Sequence, residues 1–303
     1  MKLIIDDLTE EEKRLDSYLA DYLQDFSRSK IQNSIKNGMV KVNLKTTKPS
    51  YVVKSGDVIE IDIKAESAEI LPENIPIEII WENDEMLVVN KPSGMLTHPT
   101  SIEKSGTLVN ALLYKYGENL SDVNGDFRRG ILHRLDRNTS GLLMVAKTNK
   151  AHNFLVESMK NGLVEKKYLA VVKGIIEEDE FVINKPIGRN PNQPHKMMIT
   201  PNGKESISVV KVLKRYNDAT LIEVKLETGR THQIRVHMAS IKHPVYNDSL
   251  YGFGKMKVNT EEQVLQSYKL SFIKPYDKEE RLYFELEPDE KVKKVIKYLS
   301  QTL

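Results

Sequence analysis

Residues 128–148, RRGILHRLDRNTSGLLMVAKT, set one carboxylate, Asp136, among Arg128, Arg129, Arg134 and Arg137. Neighbouring cations favour the charged form of a carboxylate, and a charged carboxylate is a nucleophile or a base. The same arrangement also reads as an ion pair that only fixes a loop. An apolar pair, Ile131 and Leu132, precedes the carboxylate; a turn at 138–141 and an apolar strand at 142–146 follow it. Gly130 and Gly141 are expected to serve backbone turns. His232, His237 and His243 do not fall on one helix face and have no carboxylate among them, so no metal site is expected. The chain has no cysteine, which excludes disulfides, thiolate catalysis, iron–sulfur clusters and Cys-based zinc.

These residues need elements to hold them. The stretches IEIIWE, EMLVVNK, GLLMVAK, KKYLAVVKG, SISVVKVLKRY, ATLIEVKLE and RLYFELE have the length and apolar patterning of strands. Helical stretches are expected near 105–116, 148–161 and 231–242. In the last, Thr231 is placed to cap the helix, and Ile234, Met238 and Ile241 form a buried stripe with Arg235 beside it. This order predicts an α+β fold with a large, mainly antiparallel mixed sheet flanked by helices and loops. Upstream lies a smaller unit of two helices and short strands. Residues 11–26 read as an amphipathic helix with Leu15, Leu19, Leu23, Tyr18, Tyr22 and Phe26 inward. Ser27 would cap a second helix that Gly38 ends, with Ile31 and Ile35 inward and Arg28, Lys30 and Lys36 free to point outward. MVKVNLKT and VIEIDI follow as alternating strands, the second after a turn at Ser55-Gly56-Asp57. Residues 65–76 read as a linker, so the expected domains are 1–70 and 71–303.

At 303 residues, two domains are what length alone suggests. The hydrophobic share of 40% is enough for a core and argues against a disordered chain. No apolar run approaches a membrane span and no secretory signal is evident, so a cytoplasmic protein without membrane contact is expected. The formal net charge of +2 argues at first against a nucleic-acid partner. Along the chain that figure is a cancellation. Residues 6–25 hold eight acids, whereas 28–54 hold seven bases and no acid, including Arg28, Lys30, Lys36 and Lys41. Residues 128–150 hold six bases against Asp136, and 229–247 hold Arg230, Arg235 and Lys242 with no acid. A single charge run is commonly a solvated face. Several acid-free windows in a nearly neutral chain resemble the footprint of a phosphate-backbone partner.

HRLDRNTSGLLMVAKT resembles the central motif of the RluA-type RNA pseudouridine synthases. GLVEKKYLAVVKG (162–174) is similar to the segment that carries that family's active-site tyrosine, here Tyr168. LETGRTHQIRVHMASIKHPVYND (226–248) resembles its C-terminal motif, with Arg230 and Arg235, and NKPSGMLTHP (90–99) its opening strand and loop. The resemblance covers residues 75–290. The N-terminal unit is similar to the small RNA-binding domain named after ribosomal protein S-four, in SRSKIQNSIKNGMVKVN and VKSGDVIEI.

The resemblance implies an isomerase that breaks the uracil–ribose bond and rejoins the base through its carbon 5, with no cofactor. It implies that Asp136 is the catalytic carboxylate, attacking carbon 1′ or acting as a base at carbon 2′. Arg235 is the expected cationic partner, with Arg230 second. Tyr168 would pack on the target base and help remove the proton from carbon 5; as a strand residue in line with Ala170 and Val172 it also reads as core. Arg134 is placed to fill the gap left by a flipped uridine and to contact phosphates, and His133 to position the loop. Arg28, Lys30, Lys36 and Lys41 would contact RNA. The expected partner is large-subunit ribosomal RNA, including ribosome-assembly intermediates, for a monomeric enzyme. Transfer RNA is the alternative substrate, and a non-catalytic assembly factor the alternative function.

Overall fold

The structure is a computed structural model, and it describes residues 2–5, 13–23, 26, 28–63, 70–100, 102–193, 195–253, 257–258, 260, 262–277 and 280–301. The chain divides into two compact units, 1–69 and 70–303.

In the first unit the elements run β1 (Lys2–Ile4), α1 (Leu15–Tyr22), α2 (Arg28–Lys36), β2 (Val40–Val42), β3 (Lys45–Thr46) and β4 (Val58–Ile61). The strands form one antiparallel sheet in the order β1-β4-β2-β3. The core takes Leu15 and Leu19 from α1, Ile31 and Ile35 from α2, and Val40, Val42, Ile59 and Ile61 from the sheet. This is the helical spacing of four on one side and the strand alternation of two on the other. Gly38, at φ +73°, closes α2: its N–H donates to Ile35 O and that of Met39 to Ser34 O, the paired bonds of a left-handed helix end.

Three expectations for this unit are corrected. The first helix begins at Leu15, and Tyr22 is exposed, stacked on Tyr18 rather than turned inward. Arg28 is not free, because it pairs with the fully buried Asp16 at 3.3 Å. Strand β1 was not expected; three residues are too few for a periodic signal. Ser27 lies outside the described residues, as does the Lys30 side chain.

The second unit runs β5 (Glu78–Glu82), β6 (Met86–Lys91), α3 (Leu108–Tyr116), β7 (Ser140–Ala146), α4 (Asn149–Lys160), β8 (Glu165–Lys173), β9 (Glu180–Asn184), β10 (Ile187–Arg189), β11 (Met197–Ile199), β12 (Ile207–Arg215), β13 (Ala219–Leu226), α5 (Gln233–Ser240), β14 (Leu265–Ile273), β15 (Arg281–Glu285) and α6 (Glu290–Gln301). Nine strands form a mixed sheet in the order β5-β6-β7-β14-β8-β13-β12-β9, with β15 also on β14. Among the described residues only the β7–β14 pairing is parallel; β10 and β11 form a separate hairpin. The fold is α+β with helices on both faces. Leu143 and Val145 of β7 and Tyr168, Ala170 and Val172 of β8 face one core, shared with α3 and α5. Leu142 and Met144 face the opposite side with Leu155 of α4, while Leu169 and Val171 meet Val292, Val295 and Leu299 of α6. Among the described residues no helix is long and apolar enough to cross a membrane.

Two elements central to this unit were not expected. Strand β14 lies between the strands that follow Asp136 and carry Tyr168, yet it holds buried Gln266, Ser267 and Ser271, which break the apolar alternation. Helix α6 sits in a mixed-charge segment whose apolar positions are few but lie on one stripe. The linker expectation is corrected as well: Ile70 is buried in the second unit's core, and Glu73 O accepts in a turn while its N–H donates to Asn110 O. Residues 64–69 lie outside the described residues.

Gly141 sits in strand β7 at φ +117°, not in the expected turn, which is confined to Arg137 and Asn138. A Cβ there would fall on the Ser267 backbone, 2.7 Å from its carbonyl carbon and 2.8 Å from its nitrogen. Gly141 is therefore what allows β14 to lie against β7. Gly141→Ala should destabilise the protein by about 3 kcal/mol or more, since backbone has to move on both strands. Urea unfolding checks this, and a loss under about 1 kcal/mol would contradict it.

Candidate active site

Asp136 lies in the loop before β7, and that loop is held through its carbonyls. Thr97 Oγ1 donates to Leu135 O at 2.9 Å and accepts from Leu135 N at 3.2 Å. Lys91, with no solvent exposure, donates from Nζ to Arg137 O at 3.1 Å and to Pro92 O and Met95 O at 2.8 and 2.7 Å. Burial pulls its pKa down to about 7. Asn138 O accepts from Ser93 Oγ at 2.9 Å and from Lys291 Nζ of α6 at 3.0 Å. Two separate parts of the chain, residues 91–97 and α6, thus fix the backbone of residues 135–138 on which Asp136 stands.

Helix α5 supplies the partner of this carboxylate. Its residues 233–238 are all buried, so their polar side chains need internal partners. Gln233 holds Thr228 Oγ1 and Arg230 N through its carbonyl oxygen and donates to Ile207 O and Ser208 Oγ. His237 Nδ1 pairs with Ser208 Oγ and Nε2 with Lys185 O. Arg235 points to the site. Its Nη1 donates to Asp136 Oδ2 at 3.1 Å, while Nε and Nη2 donate to Asp248 Oδ2 and Oδ1 at 2.7 and 2.9 Å. Burial opposes its charge, but the two carboxylates outweigh that and raise its pKa above the ordinary guanidinium value. The Tyr251 ring lies 5.1 Å from the guanidinium carbon.

The start of α5 differs from expectation. The N-cap is His232, in the left-handed region at φ +57°, and Thr231 does not cap. This backbone brings His232 Nε2 within 3.9 Å of Asp136 Oδ2, and Nδ1 pairs with the Tyr251 hydroxyl at 2.8 Å. Burial lowers the His232 pKa, so the ring adds little positive charge at neutral pH.

Asp136, Tyr168, Arg235, Arg134, Arg230 and His133 line one cavity of about 640 Å³. Tyr168 belongs at once to the core and to the cavity wall. Burial raises the pKa of its hydroxyl, and hydrogen bonding with Ser267 works the other way. His133 Nε2 accepts from Met144 N at 3.1 Å, and burial pushes the ring down to about 3, so it is a neutral prop of the loop. Arg134 is exposed at the cavity mouth. Arg230 donates to Glu205 O at 3.0 Å rather than to Asp136. Lys36 and Lys41 are exposed on the first unit. Among the described residues no group of three or more His, Asp or Glu is arranged to hold a metal ion.

Sequence reasoning missed Asp248, His232, Tyr251, Lys91 and Lys291 as parts of this site. Asp248 carried a usable signal, since a buried arginine implies a buried acid nearby. Nothing in the local pattern marks Lys91 or Lys291.

Comparison with known proteins shows which family the chain belongs to. The family model described as RNA pseudouridylate synthase matches residues 85–240, and the model for the S4 domain matches residues 13–59. A relative from Aquifex aeolicus, named as an uncharacterized RNA pseudouridine synthase, is 42% identical over 302 residues, covering 96% of this chain and 95% of its own. The ribosomal large subunit pseudouridine synthase D of Neisseria meningitidis serogroup B is 41% identical over 275 residues, 86% of this chain and 72% of its own. Among solved structures, human RNA pseudouridylate synthase domain containing 1 shares the fold, with a TM-score of 0.56 at 24% identity over 76% of this chain and 97% of its own. The chain belongs to the RNA pseudouridine synthase family, with an S-four-type domain at its N-terminal side. It is an isomerase of that family.

Arg235 serves two carboxylates, and the two ways of breaking the cluster differ in kind. Arg235→Met leaves both acids without their cation, whereas Asp248→Asn keeps the Arg235–Asp136 pair. The first should cost about 3–5 kcal/mol of stability and the second distinctly less, about 1–3 kcal/mol. Urea unfolding of the two variants gives the order; equal losses would show that Asp248 and Asp136 do not share the arginine's charge.

Proposed function

We propose that the protein converts specific uridines of large-subunit ribosomal RNA to pseudouridine, with Asp136 as the catalytic carboxylate. The observation that carries the reading is the Arg235–Asp136 contact, set in a cavity with Tyr168 on its wall. A uridine in folded RNA has to leave its stack to enter such a cavity, at a cost of a few kcal/mol. Arg134, at the cavity mouth, is placed to contact the strand the base leaves. Asp136 then acts on the ribose, by attack at carbon 1′ or by removing the proton at carbon 2′. Arg235 fixes the carboxylate's direction, and Asp248 fixes Arg235. Tyr168 packs on the freed base while it turns to present carbon 5. Its raised pKa keeps the hydroxyl protonated, so it packs and hydrogen-bonds before it exchanges a proton. His133 supports the loop.

In this reading residues 1–70 form the RNA-binding domain, with Lys30, Lys36 and Lys41 as RNA contacts and Arg28 acting through its pair with Asp16, and residues 71–303 form the catalytic domain. The relative named as a ribosomal large subunit enzyme supports ribosomal RNA over transfer RNA as substrate. The enzyme works as a cytoplasmic monomer, on ribosomal RNA or its assembly intermediates, and needs no cofactor.

Asp136→Asn should abolish pseudouridine formation while RNA binding survives. Pseudouridine mapping of large-subunit RNA, with gel-shift binding alongside, checks both; retained conversion would overturn the role of Asp136. Removal of residues 1–69, which keeps the buried Ile70, should weaken binding and flatten its salt dependence, because phosphate contacts are lost. The remaining unit should stay folded by circular dichroism.

A further inference from the structure

The hairpin between β2 and β3 turns on two residues, Asn43 and Leu44, both with positive φ, +52° and +67°. A turn of this kind suits Asn at its first position and Gly at its second. Asn43 fits and is locked: its Nδ2 donates to Asp57 Oδ1 at 2.8 Å, its Oδ1 accepts from Val58 N at 2.9 Å, and its own N–H donates to Val58 O. Asp57 is itself buried and bound by Tyr51. Leu44 does not fit. A branched side chain in the left-handed region is strained, and this one gains nothing from packing: it is 73% exposed and takes no part in the unit's core. The neighbours in sequence, Lys41, Lys45 and Lys48, are all exposed, in the window of residues 28–54 that holds no acid.

A strained backbone kept rigid by its surroundings, carrying a large apolar side chain into solvent among cations, points to contact with a partner. The cations select a polyanion, and the apolar tip selects a place where that polyanion exposes a base face. We propose that Leu44 is an apolar wedge that packs on an unstacked base of structured RNA, at a bulge or a loop, while Lys41, Lys45 and Lys48 hold the flanking phosphates. This rests on the RNA-binding reading of the N-terminal unit. It adds a preference for interrupted over continuous helices, because a bulge or loop presents an already unstacked base, whereas insertion into a paired stack costs a few kcal/mol of unstacking.

The test uses the full-length protein and Leu44→Gly, with protein-free large-subunit ribosomal RNA and a perfectly paired RNA duplex as probes. Glycine suits the turn, so hydrogen exchange at the β2–β3 amides should be as slow as in the parent or slower. Affinity for the ribosomal RNA should nonetheless fall by about tenfold, the scale of one buried apolar side chain, with no change in the salt slope. Affinity for the duplex should not change. Lys45→Gln should reduce the salt slope by about one on both probes. Unchanged affinity of Leu44→Gly for ribosomal RNA would overturn the wedge, as would an equal loss on both probes. Loss of affinity together with faster exchange would reduce Leu44 to a structural residue and overturn it too. A parent protein that binds neither probe would instead overturn the RNA reading on which the proposal stands.

Discussion

The second unit is organised around one guanidinium. Arg235 lies on a buried helix and meets two carboxylates, with both its Nε and its Nη2 committed to Asp248 and one Nη1 hydrogen bond left for Asp136. A bidentate pair fixes the plane of the group. The third contact is then made in a direction already set, so Asp136 meets a partner that cannot swing away. A lysine could supply the charge but not this geometry. The cost is a buried cluster with one cation for two acids, and the environment of Arg235 carries it: the Tyr251 ring lies over one side, and residues 233–238 of α5 are all buried.

The loop that bears Asp136 is fixed by the same logic applied to the backbone. A loop buried at a site leaves carbonyls to satisfy, and here Thr97, Lys91, Ser93 and Lys291 satisfy those of residues 135, 137 and 138. Each comes from an element other than the loop. Strand β14 completes the frame: it pairs with β7 just beyond the loop and with β8 at Tyr168, which brings the carboxylate and the tyrosine to one cavity. Gly141 is the local condition for that approach.

What could be read in the sequence follows from where each signal lies. Asp136, Tyr168 and Arg235 stand in contiguous motifs, and strands such as β7 and β8 announce themselves by continuous apolar runs. Strand β14 does not, because its inward positions are filled by Gln266 and two serines whose partners, Glu287 O and Leu142 O among them, exist only in the folded chain. Helix α6 hides behind Glu290, Lys293, Lys294 and Lys297 on its wet face. Asp248 and Lys291 acquire their roles through contacts far along the chain, to Arg235 and to Asn138. The start of α5 was misread for a further reason. Thr231 has the right chemistry for a cap, but the chain instead places His232 in a left-handed conformation, a choice that the surrounding site dictates.

The overall charge also changes meaning once burial is known. In the first unit Asp16 and Asp57 are buried and spent on internal bonds, Asp16 with Arg14, Arg28 and Gln32, Asp57 with Asn43 and Tyr51. Acids that face inward do not offset the field outside as exposed ones do, so Lys36, Lys41, Lys45 and Lys48 present more positive potential than a net charge of +2 suggests. Arg28 is the exception among the expected RNA contacts, because it is already paired with Asp16. Its position at the start of α2 ties that helix to α1, so its contribution to an RNA surface comes through the orientation of α2 and the lysine that follows at its far end.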